Sequence, residues 1–159
     1  MLFRSLTQRT NQMNFSGSRY NRRLLREVMQ SLYIDTYVLA CEDRFGSYGT
    51  VGFGLVDRRE PRLTDLMFSC RIQSKRVEHA FLRFIIQKYI TDTGRDFHAN
   101  YRKTLRNMQS GQVFEDLGMT EVGTIDGVSS LSFPHDRDLP DDGIVKLTLP
   151  SGRFVGSRQ

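Results

Sequence analysis

The sequence predicts a single α/β (α+β) domain in which a mixed central sheet carries helices on both faces. Three observations predict it. The 159 residues suit one domain of ordinary size. A long apolar stripe of helical period lies mid-chain. Segments rich in β-formers flank it on both sides, so the strands must cross over through a helix.

The elements follow in order. The opening, through Asn14, is a polar and irregular lead. Asn21 caps a helix over Arg22–Ser31, whose Leu24, Leu25, Val28, Met29 and Leu32 recur at helical spacing to give one apolar face. Asp35–Glu42 and Thr50–Val56 are strands joined as a hairpin through the glycine-bearing turn Asp43–Gly49. Leu63–Ile72 is the third strand. The long helix runs from Lys75 to about Ile90, with Val77, Ala80, Phe81, Phe84, Ile85 and Tyr89 on its buried stripe. Gly94 stops it. Asp96–Tyr101 is a short strand and Ser110–Leu117 a short helix. Thr120–Phe133 makes two strands around Asp126-Gly127, a tight-turn pair. Pro134–Gly143 is a polar loop, Ile144–Leu149 a last strand, and 150–159 a frayed tail.

Composition removes several function classes. Hydrophobic residues make up 38% and charged residues 26% of the chain, the balance of a folded domain rather than a disordered one. No apolar run approaches the ~20 residues that cross a bilayer, and the apolar stretch within Met1–Arg9 is too short for a signal peptide, so none is expected. Two cysteines, Cys41 and Cys70, build no disulfide framework, so a cytoplasmic setting is expected. The net charge of +5 favours anionic partners without choosing among them. No aromatic–basic motif of an RNA-binding sheet occurs, which makes nucleic acid a remote reading. His79, His98 and His135 have no metal-ligand spacing, so no metal is expected.

Four segments carry a specific resemblance. Arg9-Thr10-Asn11-Gln12-Met13-Asn14-Phe15 with Arg19-Tyr20, Asp43-Arg44-Phe45-Gly46 with Gly49 and Val51-Gly52, Met67-Phe68-Ser69-Cys70-Arg71 with Val77-Glu78, and Thr104, Asn107 and Leu117-Gly118-Met119 occur in this order. Together they resemble the C-terminal domain of FkbH-like proteins. The resemblance implies a GNAT-like (acyl-CoA N-acyltransferase) fold, in which acyl thioesters lie between splayed central strands. It implies acetyl-CoA, acyl-CoA or a phosphopantetheine thioester as cofactor and an acyl carrier protein as partner. It also implies an upstream phosphatase-like domain with an Asp-x-Asp motif. Only eight residues precede Arg9 and none forms that motif, so a fragment or a stand-alone chain is expected.

The resemblance places a pyrophosphate loop at Arg71, Gln73, Ser74, Lys75 and Arg76, where helix-start N–H groups face phosphates. The family's two glycines are Ser74 and Arg76 here, which adds both bulk and positive charge. The alternative is a solvated helix start. Phe114 replaces the tyrosine that serves GNAT enzymes as general acid, and a phenyl ring gives no proton; it reads as core. Asn107 matches the family's asparagine beside the cofactor, and a helix cap is the other reading. Cys70 beside Arg71 is a candidate nucleophile against a small buried residue. His98 is a candidate base against a structural histidine. The Arg22-Arg23-x-x-Arg26 run is a solvated face or a contact for an acidic carrier protein. Two functions remain open: an acyltransferase, or a non-catalytic module that binds a carrier protein or partner domain.

Overall fold

The computed structural model describes residues 13–150. The expected polar lead up to Gln12 and the expected frayed tail from Ser151 lie outside the described residues. The elements are α1 (Arg22–Gln30), β1 (Ile34–Asp43), β2 (Gly46–Asp57), β3 (Arg62–Phe68), a 3-10 turn (Cys70–Ile72), α2 (Val77–Thr93), β4 (Phe97–Tyr101), α3 (Gln112–Asp116), β5 (Thr120–Ile125) and β6 (Val128–Phe133).

Local chemistry fixes most boundaries. Asn21 Oδ1 accepts from the Leu24 amide at 2.9 Å and opens α1. Asp126 (φ 52°) and Gly127 (φ 73°) are both left-handed, the pair of angles a two-residue β5–β6 hairpin turn demands. Ser69 accepts from the Arg71 amide and turns the chain out of β3 after Phe68. The third strand is therefore shorter than the sequence suggests, and Cys70–Ile72 becomes a 3-10 turn.

The six strands lie in the order β1-β2-β3-β4-β6-β5. Every pairing is antiparallel except β3 with β4, because α2 carries the chain across between those two. The parallel pair is short. It registers Arg62 with His98 and Leu63 with Ala99, and then the strands diverge.

Helices cover both faces. On one, α2 and α3 bury Phe81, Leu82, Ile85, Phe114 and Leu117 against Leu63, Phe97 and Phe133. On the other, α1 packs Leu25 on Phe53, Leu55 and Met67. The apolar face expected of α1 is only partly used: Leu25 is its one buried residue, and Leu24, Met29 and Leu32 are exposed.

Two further expectations change. Ile144–Leu149 forms no strand. Val145 and Leu147 pack on the core beside α2, while Asp142 and Asp141 pair with Arg76 (2.7 Å) and Arg83 (3.3 Å); these side-chain anchors take the place of a ladder. The end of the polar lead is not irregular surface either. Met13, Asn14 and Phe15 are buried and enter the sheet, as described next.

Candidate functional site

The divergence of β3 from β4 opens a V-shaped gap in the middle of the sheet. A polypeptide segment fills it. Asn14 bridges Met67 in antiparallel sense; the Phe15 amide donates to Leu66 O (3.0 Å) and the Phe68 amide to Met13 O (2.9 Å). On the other side the Arg102 amide donates to Phe15 O at 2.8 Å. Met13–Phe15 thus stitches the free edge of β3 to the end of β4. The peptide groups of two diverging strands would otherwise face each other without partners, and burying them so is costly.

Phe15 fills the base of the gap. It is fully buried and meets Phe68, Tyr101 and Phe114 edge-on, at ring separations of 6.3, 6.1 and 5.6 Å, a favoured aromatic geometry. Phe114 is part of this box, in keeping with its reading as core. The Tyr101 hydroxyl lies so close to Gly111 that a Cβ there would push the tyrosine out of its place against Phe15 and Phe114.

Asn107 locks the arrangement. Its Nδ2 donates to Asn14 O and Arg102 O at 2.9 Å each. Its Oδ1 accepts from the Thr104 amide (2.8 Å) and the Tyr101 hydroxyl (3.3 Å). The side chain is wholly buried and its hydrogen-bonding groups are engaged by protein. It caps the turn from Thr104 rather than a helix, and no amide group is left to contact a ligand.

The basic loop lies between the 3-10 turn and α2. Ser74 and Arg76 stand where the resemblance has glycines, and both hold left-handed backbone, φ 63° and 64°. The glycine-type path survives without glycine, at about 1–2 kcal/mol per residue. The cations are engaged within the chain. Lys75 bonds Asp43 (3.3 Å) and lies over the Tyr48 ring; the Tyr48 hydroxyl first, then Asp43, holds its ammonium charged above the ordinary lysine range. Arg76 bonds Asp142 (2.7 Å) and reaches Asp116 (3.6 Å), and His79 Nε2 lies 2.7 Å from Asp116. The Asp142 carboxyl is lowered by the Ile144 amide and then by Arg76. Arg71 Nε donates to Ser69 Oγ at 3.0 Å, and Gln73 is exposed. A cavity of about 690 Å³ lies between α2 and the segment 140–149, with Arg76, Arg83, Phe84 and Leu147 in its lining.

Cys70 is exposed on the 3-10 turn, which corrects its reading as a small buried residue. Its neighbour Arg71 turns to Ser69 instead of the thiol. His98 pairs in register with Arg62 and Ser132 at the closed end of the V, and it alternates with the buried Phe97 and Ala99. The loop residues therefore cluster at the α2 start, Cys70 lies just before them, and His98 stands apart. Sequence reasoning missed the inserted segment. Its signal was Met13-Asn14-Phe15, an apolar–polar–apolar alternation at the end of an otherwise polar stretch. Among the described residues no group of three His, Cys, Asp or Glu side chains is placed to hold a metal ion, and no helix is long and apolar enough to cross a membrane.

The sequence matches no protein-family model, and no curated protein matches it. Solved structures do resemble it. Spermidine N-acetyltransferase from Vibrio cholerae, in complex with CoA and spermine, aligns at TM-score 0.61 and 13% identity, covering 84% of this chain and 88% of that one. The ribosomal-protein-S18-alanine N-acetyltransferase from Escherichia coli aligns at 0.58 and 14%, covering 78% and 83%. A domain from Methanocaldococcus jannaschii aligns at 0.59 and 13%, covering 70% and 73%. With its mixed six-stranded sheet, parallel pair and flanking helices, the chain has the GNAT acetyltransferase fold.

Proposed function

We propose that this chain is a GNAT-like domain of FkbH type that serves as a non-catalytic binding module for an acyl carrier protein. The observation that carries the reading is the filled cleft. A thioester arm laid between the splayed strands would have to occupy the place of Met13–Phe15, whose amide and carbonyl groups already satisfy β3 and β4. The residues present therefore do not fit a CoA or phosphopantetheine arm in that cleft. Phe114 and Asn107 agree with this, one closing the aromatic box and the other spent on backbone groups.

One observation favours the second reading, an acyltransferase using acetyl-CoA or a phosphopantetheine thioester. The loop before α2 keeps the left-handed turns at Ser74 and Arg76 at a helix start suited to anions. That reading needs Met13–Phe15 to leave the sheet and Arg76 to leave Asp142.

Calorimetric titration separates the two. The intact chain should bind holo acyl carrier protein and show no affinity for acetyl-CoA up to millimolar concentration. Micromolar acetyl-CoA binding would overturn the module reading and restore the transferase. The FkbH-type setting, with a phosphatase-like domain upstream and a role in polyketide or related biosynthesis, belongs to the same proposal.

A further inference from the structure

The outer side of α1 and the corner after it have an exposed composition that the fold does not explain. Met29, Leu32 and Tyr33 are 60%, 74% and 53% exposed. Arg22, Arg26 and Met29 fall at i, i+4 and i+7, which puts them on one stripe of the helix. Arg22 and Arg26 are exposed and pair with no carboxylate among the described residues; the helix's one acid, Glu27, is taken by Arg23 at 3.3 Å. The fold uses Leu25 from this helix, so nothing in the domain core calls for apolar residues at Met29 and Leu32.

The corner is held firmly in its outward pose. Arg58 donates through its amide to Tyr33 O (2.9 Å) and through its guanidinium to Leu32 O, and it pairs with Asp35 at 3.4 Å. The Arg59 guanidinium lies 4.8 Å from the Tyr33 ring centroid and is itself fixed by Asp57 at 2.7 Å. A backbone fixed in this way has little freedom left to lose when a partner covers the corner, which favours binding.

We propose that Arg22, Arg26, Met29, Leu32 and Tyr33 form the docking surface for an acidic amphipathic helix of a protein partner. The partner's apolar stripe covers Met29, Leu32 and Tyr33, and its carboxylates meet Arg22 and Arg26. Charge decides the occupant: the stripe offers two guanidinium groups with no carboxylate partner among the described residues and no free acid, so a basic or neutral helix gains only the apolar contact, while an acidic one gains both. The proposal rests on the carrier-binding reading and adds the place at which the carrier docks.

The test uses the whole chain, isotope-labelled, titrated with holo acyl carrier protein and followed by backbone NMR and calorimetry. Shifts should centre on residues 22–33. Arg22→Glu with Arg26→Glu, and separately Met29→Ser with Leu32→Ser, should each weaken binding tenfold or more. All four side chains are exposed, so thermal unfolding should be unchanged and a folding defect would be visible. If the carrier binds, perturbs another surface and binds both variants as tightly as the parent, this docking surface is wrong while the carrier-binding reading stands. If no binding occurs up to millimolar carrier, the reading and the surface fall together.

Discussion

Replacing Phe15 by alanine tests whether Met13–Phe15 is an integral strand of the sheet or a loosely held arm. The side chain is fully buried and packs edge-on against Phe68, Tyr101 and Phe114. Removing a buried phenyl from such a site costs about 3–5 kcal/mol, the transfer energy plus the cavity left behind. The backbone bonds of Phe15 to Leu66 and Arg102 do not depend on the ring, so they brake collapse of the gap and push the cost toward the upper end. For a domain of this size the loss corresponds to a melting-temperature drop of roughly 6–20 °C. Urea unfolding followed by circular dichroism, with a shared slope for parent and variant, measures it directly. A loss below about 1 kcal/mol would refute the reasoning: the segment would then be detached in solution and the cleft open to a ligand.

Further outcomes follow from other features. Phe114→Tyr places a hydroxyl inside the aromatic box, so it should destabilise by about 1–3 kcal/mol and confer no acetyl transfer; activity gained in a coupled thiol-release assay would contradict the non-catalytic reading. Ser74→Gly removes a left-handed non-glycine residue without touching the Arg76–Asp142 pair. The variant should keep or raise stability by up to ~1 kcal/mol despite glycine's flexible unfolded state, and a melting temperature well below the parent's would count against that backbone path. His135 Nδ1–H donates to the Asp96 carboxylate at 2.6 Å, which raises the imidazole above its ordinary 6.5 and lowers the carboxyl below its ordinary 3.8. The tether is therefore whole between those two values, is lost as pH rises through the raised histidine value, and is lost as pH falls through the lowered aspartate value. An NMR titration should place the His135 midpoint above 6.5 and Asp96→Asn should bring it down; a midpoint at or below 6.5 in the parent would discard the pair.

What the sequence revealed was whatever depends on short-range chemistry. Asn21, Gly94 and Asp126-Gly127 mark their boundaries because caps, stops and tight turns are decided within a few residues. The α2 stripe is legible in part: Val77, Phe81, Ile85 and Tyr89 are buried as their period predicts, while Ala80 and Phe84 are half-buried and Leu82 and Ile86 are buried beside them. The misses are long-range. Ile144–Leu149 alternates like a strand, yet Asp142 and Asp141 dock it on Arg76 and Arg83, contacts 66 and 58 positions back. Asn107 resembles a ligand-contacting residue until Asn14, 93 positions earlier, is seen to take its amide. At the candidate site the loop path at Ser74 and Arg76 could be placed from sequence, but whether its charges were free could not, because Asp43, Asp116 and Asp142 are distant in the chain.

The short parallel seam between β3 and β4 has a mechanical consequence. With only Arg62–His98 and Leu63–Ala99 in register, the sheet is two separate antiparallel plates, β1–β3 and β4–β6, joined edge to edge along a brief line. Met13–Phe15 is the second fastening, clamping the plates at the end where they part. Any excision of this domain that begins after Phe15 would remove this fastening and leave the peptide groups of Leu66, Phe68 and Arg102 that it satisfies facing the opening without partners. The practical boundary of the folding unit therefore lies upstream of Met13, well ahead of the first helix, where a division by secondary structure alone would put it.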